Sequence, residues 1–70
     1  SVGQAANGNV NINSANAQEL ESLPGIGAST AQQLLTSRTQ DGPFSTIDDI
    51  KRVSGIGEKK FEALKDLICV

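Results

Sequence analysis

Two short stretches of the chain carry apolar residues at every third position, a spacing typical of one face of a short helix. These residues are Ala17, Leu20 and Leu23 in the first stretch and Ile47, Ile50 and Val53 in the second. Each stretch begins with a capping signal, because Asn16 is followed three residues later by Glu19, and Thr46 by Asp49. The pattern therefore predicts two short helices with equivalent caps and equivalent buried faces.

A longer apolar stripe follows each short helix, at the spacing of an α-helix. The first stripe comprises Ala31, Leu34, Leu35 and Arg38, and the second comprises Phe61, Leu64, Leu67 and Ile68. We expect the first of these helices to run from just after Gly27 to about Thr39. The segment "QDGPFS" then interrupts the chain, because it concentrates turn-forming residues. The sequence thus predicts an all-α domain of four main short helices.

The two halves of the chain superimpose when the sequence is shifted by thirty residues. The shift pairs the two glycine turns, Gly25-Ile26-Gly27 with Gly55-Ile56-Gly57. The caps and the apolar positions keep the same register, which predicts a repeated unit of helix, tight turn and helix. We call residues 25–27 the first hairpin and residues 55–57 the second hairpin.

The start of the chain differs in composition from the repeats. Residues 1–9 are small and polar without an apolar period, so we expect a flexible tail or linker remnant there. The tandem domain is expected over residues 10–70, where Ile12 can fill an edge of the core. No stretch approaches the roughly 18 apolar residues of a membrane span, so we expect none in this sequence.

Composition argues against several kinds of chemistry. Seventy residues make one small domain, with no room for a deep catalytic cleft. The sequence has no His and one Cys, Cys69, so an internal disulfide is impossible and a zinc site would need carboxylates alone. We interpret Cys69 as a small apolar residue. We expect no catalytic residue, no metal site and no cofactor.

The net charge of −2 is distributed unevenly along the chain. Residues 1–37 hold two acids and no base, whereas the rest of the chain holds six acids and six bases. Lys59 and Lys60 directly follow the second hairpin, while Lys51 and Lys65 are expected to face solvent. A local basic patch is compatible with an acidic protein, because the field at a site depends on charges within ~8–10 Å.

Each Gly-Ile-Gly turn is predicted to leave backbone amides open to an anion. The central Ile can point between the helices, while the glycines carry no Cβ and tolerate φ > 0. Amides of the turn and of the next helical turn lack intrahelical acceptors and lie at the positive end of the helix dipole. The predicted phosphate-binding residues are therefore Gly25, Ile26, Gly27, Ala28, Ser29, Thr30, Gly55, Ile56, Gly57, Glu58, Lys59 and Lys60. Two such sites can hold the backbones on either side of a duplex groove without reading bases.

Several basic residues allow two interpretations. Lys59 and Lys60 either add charge to the second hairpin or form an ordinary solvated face. Arg52, just before the second hairpin, is a further candidate for phosphate contact. Arg38 either packs its stem and pairs with Asp41 or reaches a phosphate, and we favour the structural role.

Five motifs occur in a characteristic order: "VNIN", "LPGIG", Arg38 near the end of the second predicted helix, "DGPF" and "VSGIGEKK". In this order and spacing, residues 10–70 resemble the tandem helix-hairpin-helix domain of ComEA-type competence proteins, the cell-surface DNA receptors of natural transformation. The resemblance implies a compact all-α tandem helix-hairpin-helix domain with a SAM-domain-like architecture.

The resemblance also implies a function, which is sequence-independent binding of double-stranded DNA as a receptor in DNA uptake. It implies placement at the cell surface or in the periplasm, a membrane tether in the full-length form, and other DNA-uptake proteins as partners. Family members usually carry a Lys or Arg shortly after the first Gly-Ile-Gly, whereas this chain has Ser29 and Thr30. We therefore expect the first hairpin to bind phosphate more weakly than the second.

Two other classes of function compete with DNA binding. The acidic balance and the uncharged first hairpin also fit a protein-interaction or scaffold domain that has kept the fold and lost DNA binding. An enzyme is the third alternative, but the neighbouring acids Asp48 and Asp49 lie beside a helix cap, where acids are expected for helix-dipole reasons.

Overall fold

The computed structural model describes residues 9–70 and is mostly helical. Its elements are strand β1 (Val10–Asn11), helix α1 (Ala17–Glu21), helix α2 (Ala28–Gln40), a 3₁₀ helix (Ile47–Arg52), helix α3 (Glu58–Leu64) and strand β2 (Ile68–Cys69). The four predicted helices are therefore present. The tail predicted at residues 1–9 lies, except for Asn9, outside the described residues.

The two short helices begin at the predicted caps. The side chain of Asn16 accepts a hydrogen bond from the Glu19 amide at 2.8 Å, and the Glu19 carboxylate accepts one from the Asn16 amide at 3.2 Å. In the second repeat the Asp49 carboxylate accepts from the Ser45 amide at 2.9 Å. The second short helix is 3₁₀, whereas α1 is an α-helix with the same spacing of apolar residues.

The core is built from equivalent positions of the two repeats. The largest fully buried side chains are Ile12, Leu20, Leu34, Ile50 and Leu64. Leu20 and Ile50 are related by the thirty-residue shift, as are Leu34 and Leu64. The two repeats therefore bury equivalent positions. The predicted core role of Ile12 is confirmed, since this side chain is 0% exposed.

The two ends of the domain form a small parallel sheet that the helical pattern did not predict. Val10 pairs with Ile68 and Asn11 with Cys69. The Val10 amide donates to the Leu67 carbonyl at 2.9 Å, and the Ile12 amide donates to the Cys69 carbonyl at 3.0 Å. The sheet therefore ties the beginning of the tandem domain to its end.

The prediction that the last helix buries both Leu67 and Ile68 is wrong. Helix α3 ends at Leu64, Leu67 is 42% exposed, and Ile68 is 2% exposed on β2. Pairing with β1 gives backbone partners to the final residues, and side-chain alternation in an extended chain turns adjacent residues to opposite sides.

The helices within residues 9–70 lack the length and apolar character needed to cross a membrane, and the longest of them, α2, has 13 residues.

Candidate nucleic-acid interface

The two hairpins have the same backbone conformation. The first glycine of each turn is in the left-handed region, with φ of 77° at Gly25 and 98° at Gly55. The second glycine is the N-cap of the following helix and has an ordinary φ, −93° at Gly27 and −102° at Gly57. Only the first glycine of each hairpin is therefore required by backbone conformation.

The central isoleucines fix each turn against the core. Ile26 is 4% exposed and Ile56 is 3% exposed, so both side chains point inward as predicted. Their amides also point inward, donating to Leu23 O at 3.2 Å and Val53 O at 3.1 Å. The expectation that the amides of Ile26 and Ile56 are free donors for phosphate is thus wrong, because the turn itself uses them.

The outward donors lie at the helix starts. The first backbone bonds into α2 and α3 are those from Ala31 to Gly27 and from Phe61 to Gly57, both at 2.9 Å. The amides between these bonds, together with those of the N-cap glycines, have no acceptor within residues 9–70. These amides belong to Gly27, Ala28, Ser29, Thr30, Gly57, Glu58, Lys59 and Lys60. Neither N-cap glycine offers a side-chain cap, so the donors stay open at the positive end of each helix.

The second glycines leave room for another molecule to approach the backbone. A Cβ built at Gly27 or Gly57 meets no atom within 4 Å. Both positions are exposed. These two turns therefore present bare backbone to solvent, which is the geometry that close contact with a phosphate requires.

The two predicted lysines of the second hairpin differ in their contacts. Lys59 is exposed and forms neither an ion pair nor a hydrogen bond with the described residues. Lys60 is half-buried, and its ammonium donates to Gly55 O at 3.1 Å. Its aliphatic chain lies over Gly25, where a built Cβ would be 3.4 Å from Lys60 Cε.

Thr30 makes the reciprocal contact across the repeat. Its Oγ1 lies 3.3 Å from the Cβ position of Gly55. Since Thr30 and Lys60 are related by the thirty-residue shift, each hairpin is covered by the side chain that follows the other hairpin. The helical pattern gives no signal of this crossing, which depends on the packing of one repeat against the other.

Lys65 is exposed, as expected, and Lys51 is half-buried; both are paired with acids. Lys51 Nζ lies 2.7 Å from the Glu58 carboxylate and 4.7 Å from the centre of the Phe61 ring. The hydrogen bond with Glu58 raises the pKa of Lys51 above its usual 10.5. Lys65 pairs with Glu62 at 3.0 Å, and this bond raises the pKa of Lys65 in the same way. The carboxylate beside the second hairpin is thereby neutralised by Lys51.

The two arginines donate hydrogen bonds to other segments of the domain. Arg38 donates to Ile12 O at 3.1 Å and to Ala15 O at 2.7 Å. The favoured structural role of Arg38 is confirmed, but its partners are these carbonyls and not Asp41. Both carbonyls lie in the segment that joins β1 to α1, and the Arg38 side chain reaches them from α2.

Arg52 is held by Ser37 of α2 and by the connector that follows α2, and is not directed to the second hairpin. It donates to Ser37 Oγ at 2.9 Å and to the Gly42 carbonyl, and its guanidinium lies 4.2 Å from the centre of the Phe44 ring. The suggestion that Arg52 supplies phosphate contact is therefore not supported by its position.

The described residues contain no group of three or more His, Cys, Asp or Glu side chains able to hold a metal ion. Cys69 is a free, half-buried thiol on β2.

A family model described as "Helix-hairpin-helix motif" matches residues 5–69, which is nearly the whole chain. The chain belongs to the helix-hairpin-helix family. Among curated proteins, ComE operon protein 1 of Bacillus subtilis (strain 168) is 49% identical over 61 residues, covering 87% of this chain and 30% of that protein. The resemblance to ComEA-type competence proteins is thereby confirmed.

The same domain is similar to segments of much longer proteins. Endonuclease/exonuclease/phosphatase family domain-containing protein 1 of Danio rerio is 43% identical over 61 residues, which is 87% of this chain and 11% of that protein. Kinesin-like protein KIF22 of Mus musculus is 40% identical over 52 residues, 74% of this chain and 8% of that protein. The chain therefore spans 30% or less of the length of each relative.

Proposed function

We propose that this domain binds double-stranded DNA without sequence preference, through phosphate contacts at its two hairpins. The observation that carries the proposal is the pair of bare helix starts, where Gly27 and Gly57 have open space around them and the following amides have no acceptor in residues 9–70. Helix starts of this kind bind phosphate well, because several amides converge on the anion at the positive end of the dipole.

The arrangement of the two hairpins supports a duplex as the ligand. The Lys60 stem passes 3.4 Å from the Cβ position of Gly25, and its ammonium donates to Gly55 O, so the hairpins lie side by side. We infer that two phosphate sites related by an internal repeat hold the two backbones on either side of a groove. Contacts of this kind fix position on the duplex and carry no base information, so we expect sequence independence.

The aromatic residues argue against single-stranded DNA as the preferred ligand. The chain has two aromatic side chains, Phe44 and Phe61, and both are buried, at 2% and 6% exposure. Proteins that bind single strands commonly stack bases on exposed aromatic rings, which this domain does not offer.

The similarity to ComE operon protein 1 supports a place in competence, where the domain serves as a non-enzymatic DNA receptor in uptake. We propose that the receptor works outside the cytoplasmic membrane, at the cell surface or in the periplasm, as part of a longer tethered protein. Other proteins of DNA uptake are the expected partners of that longer protein.

A fluorescence anisotropy titration tests the proposal. Two duplexes of equal length and unrelated sequence, and one single strand, are titrated at two salt concentrations. We expect the duplex affinities to agree within a few-fold, and the logarithm of the binding constant to fall with that of salt by about 0.9 per phosphate contact. A preference of more than about tenfold for one duplex, roughly 1.4 kcal/mol, would indicate base readout and contradict the mechanism.

A protein-interaction domain is the second candidate, favoured by a specific observation. Five of the six basic residues are engaged within the domain, namely Arg38, Lys51, Arg52, Lys60 and Lys65. The absence of any salt-dependent duplex binding by the folded domain would favour this scaffold function over DNA binding.

A further inference from the structure

Strands β1 and β2 are the first and last elements of the described domain, and they lie side by side. They pair in parallel, Val10 with Ile68 and Asn11 with Cys69. Because Val10 begins one strand and Cys69 ends the other, the chain enters and leaves the domain through one pair of strands. A force that pulls on the chain at both sides of the domain therefore acts on this sheet first.

The parallel direction of the strands decides how such a force loads the sheet. Pulling the start of β1 away from the end of β2 slides the two strands along each other, so the hydrogen bonds between them are strained together. The Val10 amide bond to Leu67 O, at 2.9 Å, and the Ile12 amide bond to Cys69 O, at 3.0 Å, share this load. In an antiparallel pair the same pull would act at one end of the ladder and open the bonds one after another.

Contacts around the sheet hold β1 in place. Val10, Ile12 and Ile68 are 6%, 0% and 2% exposed, so sliding the strands must withdraw apolar side chains from the core. After β1, the Arg38 guanidinium of α2 donates to Ile12 O at 3.1 Å and to Ala15 O at 2.7 Å. Two short strands alone would be marginally stable, so these contacts strengthen the pairing.

We propose that β1 and β2 form a mechanical clasp, which carries tension from one side of the domain to the other and keeps that tension off the helices and hairpins. While the clasp holds, force passes directly from β1 to β2, and residues 12–67 form a closed loop outside its path. A domain within a longer protein receives tension through its two ends, and the relatives of this chain extend well beyond it. The clasp is a property of the fold and does not depend on DNA binding.

Single-molecule force measurements on the whole chain, held by handles at its two ends and without DNA, test the proposal. The clasp variant is Val10→Pro, which removes the amide bonded to Leu67 O. Val10→Ala is the matched control at the same position, because it also shortens the side chain but keeps the amide. Ile50→Val is the control for core stability, since Ile50 is fully buried on the 3₁₀ helix. Urea unfolding gives the stability of each variant in the absence of force.

We expect the natural chain to open in one step that releases the segment between Val10 and Cys69, roughly 200 Å when fully extended. At a fixed force, Val10→Pro should unfold about fivefold faster than Val10→Ala, the effect of one lost hydrogen bond that bears load. Ile50→Val should lower the urea midpoint but leave the unfolding rate under force nearly unchanged, because the core around Ile50 is still intact when the clasp breaks.

Three results would overturn the clasp. Release of only about half of that length in a first step would show that tension reaches one repeat while the other stays folded. Equal rates for Val10→Pro and Val10→Ala would show that the strand pairing bears no load. A faster rate for Ile50→Val, in proportion to its loss of stability in urea, would place the rupture in the core.

A chemical variant covers the case in which Val10→Pro does not fold. Replacing the Val10 amide by an ester, through chemical ligation, removes the same donor and keeps the valine side chain. The ester variant is then compared with the natural chain, and the same acceleration of about fivefold is expected. An unchanged unfolding rate under force would again contradict the clasp.

Discussion

The four hairpin glycines should fall into two classes when their effects on stability are measured. We compare Gly25→Ala and Gly55→Ala, at positive φ, with Gly27→Ala and Gly57→Ala, at φ of −93° and −102°. All four residues are exposed, so burial does not distinguish them. The two pairs therefore differ in backbone conformation, while every variant adds a side chain to exposed backbone.

The expected magnitudes follow from the backbone angles and the contacts. An L residue in the left-handed region costs about 1–2 kcal/mol. Replacing glycine by alanine also restricts the unfolded chain, which stabilises the fold by about 0.4–1 kcal/mol. This gain is the same at all four sites, so it cancels when the variants are compared. At Gly27 and Gly57 the remaining cost is a poorer N-cap, about 0.5 kcal/mol. The alanine variants at Gly25 and Gly55 should therefore lose about 1 kcal/mol more unfolding free energy than those at Gly27 and Gly57. A further small loss is expected at Gly55, because Thr30 Oγ1 lies 3.3 Å from the position of the new Cβ.

Urea and thermal unfolding followed by circular dichroism at 222 nm measure the difference, because the chain has no Trp or Tyr for fluorescence. A difference of about 1 kcal/mol corresponds to about 4–8 °C in Tm for a domain of this size. Equal losses at Gly25 and Gly27 would refute the reasoning, since they would show that the left-handed turn is not what requires glycine.

Three further predictions concern the rest of the domain. Arg38→Met should lower the free energy of unfolding by about 2–3 kcal/mol in urea titrations, because two carbonyls lose a charged donor. Ile68→Ala should cost about 2–4 kcal/mol, while Leu67→Ala, at 42% exposure, should cost far less by the same measurement. Glu58→Gln should lower the pKa of Lys51 toward 10.5 in an NMR titration, since the Glu58 bond raises it. The stability from this raised pKa is present below pH 10.5 and is lost as the pH rises through the folded pKa.

The repeat made most of the fold predictable from the sequence. Capping residues, apolar spacing and the paired glycine turns are local signals, and all of them act within a few residues along the chain. Asn16 with Glu19 is such a signal, and the structure shows its two hydrogen bonds. The inward direction of Ile26 follows from the same local pattern, because the turn must bury one side chain between its helices.

The parts that could not be predicted depend on contacts between distant residues. The pairing of Val10 with Ile68 joins positions 58 residues apart, and the apolar pattern of the last segment fits a helix equally well. The crossing of Lys60 over Gly25 likewise depends on how the repeats pack. The inward amides of the turns have no sequence signal at all, because every non-proline residue carries the same donor.

Duplex affinity of folded Gly57→Val is the most direct test of the central claim that bare backbone at the hairpins receives phosphate. The position is well suited, since φ is −102° and a new Cβ meets nothing within 4 Å in the domain itself. Obstruction of an approaching ligand is therefore the main effect of the side chain. Anisotropy titrations should show a folded variant that binds duplex about tenfold more weakly than the natural sequence. Wild-type affinity in the folded variant would contradict the account, because the glycines would then serve only the turn.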